Sequence, residues 1–143
     1  MGDWQQFGKH LMRIDGDVLF ARTQGDITGD EVLTLLGHLQ QVERQHGYVF
    51  EVVDASVGGT MSAEARHKNA DWHKQHRIHI EVVVFGASLL IRTLVTLLTN
   101  AFRLLGSKQI NPHFVASEAE AWAWVDARRA ELRAKKSPPS ATV

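Results

Sequence analysis

Tyr48-Val49-Phe50-Glu51-Val52-Val53-Asp54 is the stretch that decides the fold. It is β-branched and aromatic almost without interruption. Such a run marks a strand covered on both faces, because a half-exposed strand alternates apolar with polar residues. Ile78 to Phe85 has the same composition and predicts a second strand of this kind. Sheets buried on both sides need helical crossovers, so the segments around these two runs are expected to be helices.

Thr28 opens the helix that precedes the first run. Glu31 stands three residues on, so each side chain can satisfy the other residue's free backbone N–H. Val32, Leu35, Leu36, Leu39 and Val42 recur at helical spacing, and Gly47 stops the segment. After the loop Ala55–Met61, Ser62 caps a second helix reaching about His76, with Glu64 in its first turn favouring the dipole. Gly86-Ala87-Ser88 leads into a third helix, Leu89 to Leu105, ended by Gly106. A short strand at His113–Val115 and a second capping box, Ser117 with Glu120, precede a fourth helix to about Lys135.

Upstream, Phe7–Ile14 and Val18–Gly25 flank Asp15-Gly16-Asp17, a tight-turn signal that predicts an antiparallel hairpin. The expected fold is therefore α/β, ordered β-β-α-β-α-β-α-β-α, with a mixed, mostly parallel sheet and an N-terminal antiparallel hairpin. Residues 1–136 read as one domain and 137–143, with Pro138-Pro139-Ser140, as a flexible tail. Ligands of such sheets gather at the carboxyl ends of the strands, here the Asp54–Met61 and Gly86–Ser88 loops.

Sixteen Lys and Arg balance sixteen Asp and Glu, so the chain lacks the basic excess by which nucleic-acid binders release counterions, and nucleic acid is not an expected partner. It has no cysteine, which removes thiolate nucleophiles, thiolate metal sites and disulfides. The start, Met1-Gly2-Asp3-Trp4, has no secretory pattern, and the expected location is cytoplasmic. Leu89–Leu105 is interrupted by Arg92, Asn100 and Arg103 and falls short of the ~20 apolar residues that span hydrocarbon.

No set of residues forms a catalytic pattern, and no cofactor is expected. His67, His73, His76 and His79 cluster in sequence, and His73 with His76 are the weak metal candidates. A zinc site needs a third ligand and a supporting shell, and the simpler reading is a solvated helix end. Ser88 occupies a strand-to-helix turn, but Leu90 stands where a nucleophile elbow needs glycine, so Ser88 reads as a helix cap. Gly58-Gly59-Thr60 lacks the phosphate-loop pattern, although free N–H groups at the second helix start suit a small anion.

The third helix is the most informative element. Arg92, Thr96, Thr99 and Arg103 form a narrow polar stripe, and apolar residues fill an arc of roughly 180°, wider than the ~100° a surface helix needs to cover a sheet. The fourth helix should place Trp122 and Val125 on the core, leave Trp124 off that face, and keep Arg128, Arg129, Arg133 and Lys135 solvated.

The hairpin, the helix after Gly25-Asp26-Ile27-Thr28, the strand ending Val52-Val53-Asp54-Ala55-Ser56, and Phe114-Val115-Ala116-Ser117-Glu118-Ala119-Glu120-Ala121-Trp122 together resemble the STAS domain, the fold of bacterial anti-sigma-factor antagonists. That fold is similar in shape to the lipid-binding lobe of Sec14-like proteins. The resemblance covers about residues 7 to 130 and implies a non-enzymatic switch that docks a protein partner, with a regulatory serine at the start of the second helix. The family's Asp-Ser-Ser-Gly tetrad is absent from Gly58-Gly59-Thr60-Met61-Ser62-Ala63, which leaves Ser62, Thr60 and Ser56 as phosphorylation candidates. The expected function is a STAS-like regulatory or scaffolding domain contacting a protein partner or a second copy through Asp54, Ser56, Glu64, Arg66, Arg92, Leu94, Leu98 and Arg103. The alternative is a carrier of a lipid or small apolar ligand, its third helix acting as a lid or facing an anionic membrane surface.

Overall fold

The computed structural model describes residues 2–104 and 112–136, with their side chains apart from those at 98, 99, 101–104 and 136. The chain forms an α/β fold with a six-stranded mixed sheet and four helices. Their order is β1 (Gln5–Phe7), β2 (His10–Asp15), β3 (Val18–Arg22), α1 (Gly29–His46), β4 (Val49–Asp54), α2 (Ala63–Gln75), β5 (Ile80–Phe85), α3 (Leu89–Leu104), β6 (His113–Val115) and α4 (Glu118–Lys136). The strands lie side by side in sequence order. β1, β2 and β3 are antiparallel neighbours, and β3, β4, β5 and β6 run parallel.

The first strand departs from expectation. Phe7–Ile14 is two strands, because Gly8-Lys9 makes a tight turn that pairs Phe7 with His10. Gly8 has φ +61°, and a Cβ there would strike the Glu31 carboxylate, so glycine is required on two counts. The local pattern concealed this, since the partner that fixes the turn lies on α1.

Strand alternation assigns the two faces. Leu19, Ala21, Val49 and Ile80 join α1 and α2 in one core, while Val18, Phe20, Phe50, Val52 and Val83 join α4 in the other. The caps of α1 and α2 hold as expected: the Thr28 hydroxyl accepts from the Glu31 N–H at 3.2 Å, and Ser62 accepts from Ala65 N–H at 3.0 Å. Gly47 closes α1 in the left-handed conformation at φ 83°.

The arginines of α4 are not a solvated helix end. Arg129 grips Asp17 through two nitrogens at 2.7 and 2.9 Å, and Arg128 pairs with Glu81. Asp17 is nearly buried. Burial alone would favour its neutral form, but hydrogen bonds from Arg129 and Tyr48 outweigh that and hold its carboxyl below the usual range. Trp122 stacks on Phe20 at 5.9 Å, and Trp124 covers the β6 edge by stacking on His113 at 5.2 Å. The stop at Gly106 and the 137–143 tail lie outside the described residues.

Candidate functional site, a cavity under α3

α3 does not pack down as the other helices do. α1 and α2 pack on each other, and α1 and α4 press on the central strands, but the described length of α3 makes no comparably close contact with any element. Its cap is sound: Ser88 Oγ accepts from Ile91 N–H at 3.2 Å, which settles Ser88 in the capping role expected of it. Arg92 reaches the Phe114 ring at 5.7 Å. The wide apolar arc is split by this arrangement. Ile91, Leu94 and Val95 border the space beneath the helix, Leu94 being still 42% exposed, whereas Leu89, Leu90 and Leu97 are 77%, 77% and 62% exposed.

Between α3 and the sheet lies a cavity of about 310 Å³. That is the lower end of the roughly 300–1,000 Å³ typical of small-molecule sites. Ala21, Val53, Val82 and Val84 floor it, Leu35 and Leu36 of α1 wall one side, and Ile91, Leu94 and Val95 roof it. The polar side chains are few: Glu51 on the floor, Thr23 and Thr60 near the strand ends, and Arg66, Asn69 and His73 along α2.

Glu51 is the unusual member. Its strand is central, paired in register with Leu19 on β3 and Val82 on β5. Period-two alternation puts its carboxyl on the cavity side with Val53. Burial pushes its pKa up to about 7, and no hydrogen bond or countercharge offsets that. His73 moves the other way: burial, with the neighbouring His76, holds it below its ordinary value.

The rim at the strand ends is tightly stitched. Gly59, at φ +95°, lies so close to Gly25 that a side chain would strike the Gly25 carbonyl. Thr60 N–H donates to Asp26 Oδ1 at 2.8 Å, Ile27 N–H to the Thr60 carbonyl at 2.9 Å, and Ser62 N–H to the Ile27 carbonyl at 3.0 Å. A buried anchor lies behind this rim. His10 is fully enclosed; its Nδ1 accepts from Gln24 N–H at 2.8 Å, which leaves Nε2 to donate to Glu31 Oε1 at 3.0 Å. Burial opposes ionisation of Glu31, yet hydrogen bonds from Thr28, His10 and Lys9 overcome it and hold the carboxyl at about 2.

The residues expected to matter are placed as follows. Ser56 Oγ donates to Asp54, whose other oxygen pairs with Arg22 at 3.2 Å. A phosphate on Ser56 would therefore meet a carboxylate. Thr60 is half-buried in the stitched rim, and Ser62 is engaged as the α2 cap. Glu64 pairs with Lys68 at 3.0 Å, and Arg66 donates to the Met61 carbonyl at 2.9 Å. The Asp54–Ser56 corner meets the β5–α3 turn, where Ala55 N–H donates to the Phe85 carbonyl at 3.0 Å. The side chains of Leu98 and Arg103 lie outside the described residues.

The histidines do not converge. His76 Nδ1 donates to the Trp72 carbonyl at 2.9 Å and its ring stacks on Trp72 at 4.2 Å, while His79 lies 3.5 Å from Glu81. Among the described residues no three His, Asp or Glu side chains are grouped to hold a metal ion. Nor, among them, is any helix long and apolar enough to cross a membrane.

The cavity, its carboxyl and the exposed row of α3 were not singled out as one unit by the sequence. A glutamate inside an otherwise apolar central strand was the available signal. No protein-family model and no curated protein sequence matches this chain.

Proposed function

We propose that this protein is a non-enzymatic binding module that takes a small, largely apolar molecule into the cavity beneath α3. The observation that carries the reading is the cavity itself, walled by aliphatic side chains and roofed by a helix that remains loosely attached. A cleft of about 310 Å³ with aliphatic walls and few polar groups has the size and lining of a small-molecule site. The STAS-like order of elements agrees, through the related shape of Sec14-like lipid-binding lobes. A protein partner would read the loaded state: an occupant of the cavity would fix α3 and thereby the exposed Leu89, Leu90 and Leu97.

A STAS-like docking module without a small ligand is the second reading. It is favoured by that same exposed row, since contiguous bare leucines on one helix mark contact surfaces.

Native mass spectrometry of the purified protein, paired with titration of the apolar fluorophore N-phenylnaphthylamine, tests the first reading. A co-purifying small molecule, or saturable uptake of one fluorophore per chain, supports it. A bare mass together with no saturable uptake would leave the docking reading alone.

A further inference from the structure

Glu51 specifies more about the occupant than the apolar walls do. Among the described residues, the charged or titratable groups sharing its cavity are Arg66 and His73, both on α2. α1, α3, β3, β5, β6 and the rim loops present no other to it. Arg66 is exposed and engaged with the Met61 carbonyl, and burial, with the neighbouring His76, holds the His73 pKa below its ordinary value. No hydrogen bond or ion pair from the described residues reaches the Glu51 carboxyl, and burial is what raises its pKa.

Each class of ligand head group makes a different demand on such a carboxyl. An ammonium head would ionise Glu51 and require both charges to be desolvated beneath largely aliphatic walls, where Thr23, Thr60 and Asn69 are the remaining side-chain acceptors in the lining. A carboxylate head would set like charges together. An uncharged carbonyl oxygen needs a single donor, which a neutral carboxyl supplies, and no charge is then desolvated.

We infer that the cavity is built for an apolar molecule bearing one uncharged oxygen, a ketone, ester or similar carbonyl, that hydrogen-bonds the Glu51 carboxyl. This rests on the ligand-binding reading above. Because the donor form of Glu51 is lost as pH rises through about 7, uptake weakens in alkaline solution.

The test is displacement of N-phenylnaphthylamine from the full chain by methyl hexyl ketone, octane, octylamine and octanoate, at about pH 6 and about pH 8.5. The ketone should bind best, and about thirtyfold more weakly at the higher pH. Glu51→Gln keeps a donor and should bind the ketone equally at both. Glu51→Leu should bind octane as well as the ketone. Preference for octylamine, a ketone affinity indifferent to pH, or a pH dependence that survives in E51Q overturns this inference while leaving the ligand-binding reading intact. Failure of every probe, with the fluorophore also excluded, overturns both.

Discussion

At the scale of single residues, two glutamates with opposite surroundings set the pH response of the fold. Glu31 is ionised against burial because Thr28, His10 and Lys9 all donate to it. Its folded value is depressed, so its stabilisation is complete above the ordinary carboxyl range and is lost as pH falls towards about 2. Glu31→Ala should cost about 2 kcal/mol at neutral pH, measured by urea unfolding, since it weakens a cap and strips His10 of its acceptor. Glu51 runs the other way. Its folded value is raised to about 7, so the folded state holds the proton more tightly and stability falls as pH climbs from the ordinary carboxyl range through 7. Glu51→Gln should therefore leave melting nearly unchanged in mild acid and raise stability above pH 8 by on the order of 2 kcal/mol, discounted for the carboxyl's contact with the cavity. A variant equally stabilised at both pH values would show that the carboxyl is not the titrating group.

At the scale of elements, what was legible in the sequence was what is locally determined. The caps at Thr28, Ser62 and Ser88 and the stop at Gly47 depend on residues within one turn, and they lie where the sequence puts them. The Gly8 turn escaped because its cause is Glu31, twenty-three positions away on another element. Arg129 was read as solvated because its partner, Asp17, lies 112 residues distant. α3 shows the limit most clearly. Its composition revealed an apolar arc too wide for one contact, but not that the arc would divide between a cavity roof and a bare outer row. That division makes a prediction. Leu90→Ser with Leu97→Ser should shift thermal stability by no more than about 0.5 kcal/mol per site, whereas Leu19→Ala, fully buried under α1, should cost about 2–5 kcal/mol. Large losses from the α3 pair would mean that those leucines are covered.

At the scale of the whole molecule, the sheet carries two different faces. One is sealed by α4, with stacked aromatics and the Arg129–Asp17 clamp joining the last helix to the β2–β3 turn. Arg129→Ala should lower stability by about 3 kcal/mol in chemical unfolding, because it abandons a nearly buried carboxylate. The other face is closed firmly over α1 and α2 and loosely under α3. Among the described residues α3 stands over this face without the close contacts of the other helices, the arrangement expected of an element that covers a ligand site. The candidate site could not be read from the sequence because a cavity is made by what fails to meet across the sheet, and no residue pattern records that.

The measurement that bears on this account most directly is fluorophore uptake by Val84→Phe, with Val53→Phe as its partner variant. Both positions floor the cavity, and an added ring would occupy it without touching the outer surface. Circular dichroism establishes that the variants fold. Folded protein with uptake weakened about tenfold or more is the predicted result. Folded protein binding as tightly as the parent chain would contradict it, and would move the binding to the exposed leucines of α3.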